Sequence, residues 1–152
     1  MLTFKESLKK LENSKEFKEF MKKNENVFLC NGFVILENGV GDWQIDFYDD
    51  LNDKLMSFTL KGKIMKRESE AFKNEKIKIS ELDAEKVKIE LKNALDNIKE
   101  LMDKKYSNES VTKTIVILQN YKKKNIWNIT HITTSFKTLN VKLNAENGKI
   151  IS

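Results

Sequence analysis

His131 is the sole histidine of the 152-residue chain, and Cys30 is its sole cysteine. An imidazole can serve as general base, metal ligand or pH sensor. No second histidine exists, and no carboxylate stands at a spacing that would make a triad or metal site recognisable. His131 therefore reads as a hydrogen-bonded strand residue that shares a face with Trp127 and Ile129. Cys30 follows Val27, Phe28 and Leu29 and precedes Phe33, so it reads as a buried strand thiol rather than a reactive one. One thiol closes no internal disulfide, and no CxxC pair is present. Asp42, Asp46, Asp49, Asp50 and Asp53 crowd one stretch, as calcium ligands can, but the EF-hand spacing is missing and they read as solvated turn acids. The glycines Gly32, Gly39, Gly41, Gly62 and Gly148 form neither GxGxxG nor a phosphate loop, and no GxSxG or HExxH occurs. No catalytic, metal or cofactor site is assigned. A chain so poor in reactive constellations is expected to bind rather than to react.

Two sets of residues could do the binding. Lys122, Lys123 and Lys124 crowd a turn beside Tyr121, an arrangement suited to an acidic partner or nucleic acid; the bland alternative is a solvated turn that discourages aggregation. Trp43 and Trp127 each precede an alternating isoleucine, Ile45 and Ile129. They read as core packing, with a ligand- or peptide-stacking platform as the alternative. The formal charge of +5 lies in the second half: residues 1–76 carry 14 basic and 14 acidic side chains, residues 77–152 carry 14 and 9. That asymmetry permits an acidic partner. Against it, every basic residue but Arg67 is lysine, whereas phosphate and base recognition favours the arginine fork.

Elements must position these side chains. Thr3 with Glu6 makes a capping box, and Phe4, Leu8, Leu11, Phe17, Phe20 and Met21 form an apolar stripe with a phase shift near Ser14; a helix is expected from Thr3 to about Asn24. Strands are expected over Val27–Glu37, Trp43–Tyr48 and about Leu55–Ile64. Residues 66–80 read as a charged linker. A long helix is expected from Leu82 to about Lys105, with Asp83 as cap. Strands Thr112–Tyr121, Ile126 to about Thr134, and Phe136–Ala145 follow. The apolar runs Val34-Ile35-Leu36 and Ile115-Val116-Ile117-Leu118 do not alternate, so the sheet is expected to be covered on both faces, a second copy being one cover.

The two halves echo each other. Val34-Ile35-Leu36-Glu37-Asn38 leads to Trp43-Gln44-Ile45, and Val116-Ile117-Leu118-Gln119-Asn120 leads to Trp127-Asn128-Ile129. Met56/Phe58/Leu60 and Leu139/Val141/Leu143 alternate next, and each half closes on Gly-Lys-Ile, at Gly62 and Gly148. The expectation is an α+β fold of two helix–strand–strand–strand repeats, about 1–65 and about 81–152, in one cooperative domain spanning 1–152. Either half alone would have a marginal core. Whether the halves share one sheet or form two lobes stays open.

The second half, from Lys113-Thr114-Ile115 through Trp127 to Asn144-Ala145-Glu146-Asn147-Gly148-Lys149-Ile150, resembles the PepSY-like domain pattern. That pattern is a hairpin with tryptophan in its second strand, then a strand ending in an acidic-Ala-x-x-Gly-Lys-hydrophobic turn. The first half departs from it at Leu60-Lys61-Gly62-Lys63-Ile64. The resemblance implies a helix packed on an antiparallel, cystatin-like sheet, no catalytic residues, and a protease-inhibiting or regulatory role. The tandem pair also looks architecturally like β-lactamase inhibitory protein. The function expected is a non-enzymatic binding or regulatory module that recognises a protein or peptide, with inhibition of a peptidase or other enzyme as the specific version that the resemblance suggests. The alternatives are nucleic-acid binding through the basic second half and a small-molecule carrier with a helix–sheet pocket. No apolar run approaches the ~20 residues of a membrane span, and no signal peptide is visible, so a cytoplasmic location is expected unless a leader has been removed. The sequons Asn108-Glu109-Ser110 and Asn128-Ile129-Thr130 matter only on secretion.

Overall fold

The computed structural model describes residues 1–70, 78–105 and 108–152. Helices α1 (Phe4–Glu12) and α2 (Lys15–Lys23) precede strands β1 (Val27–Glu37), β2 (Gln44–Asp49), β3 (Lys54–Lys61) and β4 (Lys63–Glu70). A 3-10 turn, Ala84–Lys86, and helix α3 (Leu91–Lys105) lead to β5 (Val111–Tyr121), β6 (Lys124–Thr133) and β7 (Thr138–Asn144). The fold is α+β. Its seven strands form one antiparallel sheet in the order β4-β3-β2-β1-β5-β6-β7. The two halves of the chain meet where β1 pairs with β5, from Asn31↔Gln119 to Glu37↔Lys113, so they share one sheet.

Three elements differ from expectation. The first helix is two. The Thr3–Glu6 capping box forms as predicted, Thr3 N donating to Glu6 Oε1 at 2.9 Å and Glu6 N to Thr3 Oγ1 at 3.1 Å. Ser14 then stops α1 and caps α2, its hydroxyl accepting from Phe17 N at 3.2 Å and donating to Leu11 O at 2.6 Å. That local competition for backbone partners is why the stripe changes phase there. The helix expected from Leu82 starts nine residues later. Asp83 caps only the 3-10 turn, accepting from Glu85 N at 3.1 Å. Residues 87–90 stay outside the helix because Lys88 N and Ile89 N both donate to Ala145 O at 2.9 Å, while Trp127 Nε1 donates to Ile89 O at 2.8 Å. The strand expected to end near Ile64 is a hairpin: Gly62, at φ +72°, reverses the chain between Lys61 and Lys63. Residues 66–70 of the expected linker are therefore the rest of β4; residues 71–77 of it lie outside the described residues.

All three helices lie on one face of the sheet. Phe4 of α1 sits so close over Gly32 that a Cβ there would overlap its ring, and it meets Trp43 edge-on at 5.3 Å. Phe17 and Phe20 of α2 pack on Phe47 and Phe58. Leu91, Ala94, Ile98 and Met102 of α3 join Val116, Ile129 and Val141 in the same buried cluster. Among the described residues, no helix or strand covers the other face. The consecutive apolar runs thus do not mark a sheet sandwiched by its own chain, as expected from sequence: β1 and β5 are the two central strands, and their outward residues lean on each other.

Candidate binding surface

The helix-free face carries an apolar strip two strands wide. Phe33 lies opposite Ile117 and Ile35 opposite Ile115, across the β1–β5 seam. Ile35 is 39% exposed, and the other three are half-buried. Gln44 flanks Phe33 on β2, while Asn128 and Thr130 flank Ile117 and Ile115 on β6. The strip thus has a greasy centre and a rim of groups that can hydrogen-bond, the anatomy of a recognition surface. Farther along the face, a bulge between Leu29 and Asn31 buries Cys30, whose thiol donates to Asp46 O at 3.4 Å. Burial, and then the charge of Asp46, push that thiol far above its ordinary range, so it stays protonated and unreactive. Phe28 and Tyr48 pack beside it with rings 5.6 Å apart.

Tyr121 ends the same face at the β5–β6 turn. Lys122 Nζ stands 5.1 Å and Lys142 Nζ 5.9 Å from its ring centroid, while Lys123 and Lys124 are exposed beside them. Lys122 and Lys123 form a two-residue turn at φ +50° and +68°. Such turns favour Asn-Gly, so two lysines hold it against their own preference. The structure therefore brings Tyr121, Lys122, Lys123 and Lys124 together and adds Lys142, which the sequence offered no means of finding.

Trp43 and Trp127 sit on the helix side. Their rings lie 6.1 Å apart, and both are buried. Trp43 Nε1 donates to Leu2 O at 3.1 Å, as Trp127 Nε1 does to Ile89 O, so both indole N–H groups are engaged by the chain itself. A hollow of about 320 Å³ runs along Trp43, Leu36, Leu91 and Leu95. A neighbouring one of about 400 Å³ shares Leu36 and Leu95 and ends over Thr114 and His131. His131 Nδ1 lies 2.8 Å from Thr114 Oγ1, and burial lowers the imidazole pKa, keeping it neutral. The aspartates disperse. Asp49 accepts from Leu51 N, Asn52 N and Asn52 Nδ2; Asp53 takes the Tyr48 hydroxyl; Asp46 is buried and accepts from Gln44 Nε2. Asp42 lies beyond the opposite end of β2. Among the described residues, no group of three or more His, Cys, Asp or Glu side chains is placed to hold a metal ion.

No family model matches the chain, and no curated protein matches it. A solved structure of a "putative lipoprotein" from Clostridium difficile 630 aligns with a TM-score of 0.59 at 11% identity, over 90% of this chain and 88% of that one. At that identity the likeness concerns the fold alone. Among the described residues, no helix is long and apolar enough to cross a membrane.

Proposed function

We propose that this chain is a non-enzymatic binding or regulatory module that recognises a protein or peptide on the helix-free face of its sheet. The observation that carries the reading is the Phe33–Ile117 and Ile35–Ile115 strip, apolar, central and, among the described residues, bare of helices. Isolated exposed apolar side chains are ordinary, whereas a contiguous patch with a polar rim points to a partner. A PepSY-like tandem is the finer form of this reading. It is supported by the meeting of Val34 and Val116, equivalent in the two echoing halves, directly opposite each other at the central seam. A duplication folded about a local two-fold axis places equivalent residues so. Inhibition of a peptidase or other enzyme is the specific role that resemblance suggests.

A second reading, binding of nucleic acid or another polyanion, is favoured by one observation: the Tyr121 corner, where an aromatic ring is flanked by Lys122 and Lys142 on the same open face. One experiment separates the two. Tagged wild type, Ile35→Lys and a Lys122/Lys123/Lys124→Ser variant are used to capture partners from native lysate, with and without nuclease. The expected result is one near-stoichiometric protein, kept by the serine variant and lost by Ile35→Lys, whose fold is checked by circular dichroism. A partner indifferent to Ile35→Lys would overturn the sheet-face reading. Nucleic acid recovered only without nuclease, falling steeply with salt and lost in the serine variant, would replace it with the second.

A further inference from the structure

The two edges of the sheet are treated differently. The β7 edge is closed by the chain's own tail: Asn144 N donates to Lys149 O at 2.7 Å, Ile151 N to Lys142 O at 2.7 Å, and Lys142 N to Ser152 O at 3.0 Å. The β4 edge pairs with β3 along all its residues, from Lys63↔Lys61 to Glu70↔Lys54, without a bulge. Among the described residues, nothing bonds to the outer backbone of β4. It contains no proline and runs eight residues, long enough to template another strand.

We propose that β4 is the contact with a second copy of this chain, the two β4 strands pairing antiparallel about a two-fold axis normal to the sheet, with Lys66 of one copy facing Glu68 of the other. The charge order along β4 selects this occupant. Lys63, Lys66 and Arg67 come first and Glu68 and Glu70 last, so antiparallel pairing sets basic against acidic ends, whereas parallel pairing sets like against like. A two-fold axis normal to the sheet keeps each face on its own side, so even-numbered residues must face even-numbered ones. In the register that sets Lys66 opposite Glu68, Glu70 faces Ile64, Ser69 faces Met65, and Arg67 meets its copy at the axis on the helix-free face, where both guanidinium groups reach water. Glu68, already 3.3 Å from Lys54 of its own chain, then stands between two lysines. The charges that deter pairing with an arbitrary strand thus admit a second copy. The two sheets become one, and the helix-free face doubles.

Charge exchange tests this by sedimentation velocity over a range of concentrations. Wild type is expected to dimerise. Lys66→Glu places acid against acid and Glu68→Lys base against base, so each alone is expected to be monomeric. An equimolar mixture of the two is expected to regain the wild-type dimer, because each variant now complements only the other. Circular dichroism of each variant establishes that it folds. A wild type that stays monomeric up to its solubility limit overturns the proposal, as does a dimer indifferent to both substitutions, which would put the contact elsewhere, on the helix-free face for example. A monomer whose β4 amides are protected only by an added extended peptide would assign the edge to a foreign strand instead.

Discussion

At the scale of single residues, the chain's one imidazole is spent on structure. His131 faces Thr114 at 2.8 Å beneath α3, and burial lowers its pKa from the ordinary value near 6.5. The native state therefore takes up its proton at lower pH than the unfolded chain does. Above both pKa values the residue adds nothing pH-dependent; as pH falls through the unfolded pKa, the unfolded chain gains protons that the native state refuses, and stability declines until the native imidazole also protonates. Wild type is expected to lose stability relative to His131→Gln as pH is lowered from about 7.5 through the unfolded pKa near 6.5, because the native imidazole takes up its proton only at lower pH. Urea midpoints of the two proteins across that range measure it. A constant difference between them would mean that the native imidazole titrates where a free one does. Cys30 completes the picture: buried beside Asp46, it offers no thiolate at neutral pH. Sequence placed both residues correctly on strands, because apolar alternation carries that information. It could not place the outward partners of Val34-Ile35-Leu36, since an apolar run looks the same whether a helix or a neighbouring strand shields it.

At the scale of elements, what was legible was what neighbouring residues decide. The Thr3–Glu6 box and β2, whose Ile45 and Phe47 share the helix-facing side, follow from short-range chemistry. What was not legible depended on distant partners. Residues 87–90 look helical by stripe, yet Ala145, more than 50 residues away in the chain, takes the amides of Lys88 and Ile89. β4 was hidden because its side chains are mostly charged and exposed, as an edge strand's are, and a charged strand reads as a linker. The β5–β6 turn carries the element's own prediction. Lys122 and Lys123 occupy left-handed backbone at φ +50° and +68°, which costs an L-residue of order 1 kcal/mol each relative to glycine. Replacing them by Asn-Gly is expected to stabilise the protein by about 1 kcal/mol, read as a higher urea midpoint with unchanged slope. The same variant should lose any polyanion binding that the Tyr121 corner provides. A loss of stability would mean that the lysine stems contribute more by packing on Tyr121 than their backbone strain costs.

At the scale of the whole molecule, the question is whether the halves unfold together. Their meeting is intimate: β1 and β5 are paired over seven residues, from Asn31 to Glu37, and one buried cluster draws Phe4, Leu11 and Phe58 from the first half and Ile98, Ile129 and Leu143 from the second. Separating the halves would expose the whole β1–β5 seam, including Val34 and Val116, which are fully buried. Half a chain of this size has little core left after such a loss. A single transition is therefore expected. The tryptophans supply the test, since Trp43 lies in one half and Trp127 in the other. In Trp127→Phe the fluorescence reports the first half, and in Trp43→Phe the second, while circular dichroism reports the whole. Each substitution lowers stability, because each indole is buried and its N–H donates to a backbone carbonyl. The comparison therefore lies within each variant. Fluorescence and dichroism midpoints are expected to coincide in both. If fluorescence leads dichroism in one variant and lags it in the other, one half melts first and the shared sheet is a seam between two folding units. If they coincide, the β1–β5 pairing makes the 152 residues one cooperative body, and a partner bound on the face that spans this seam stabilises both halves at once.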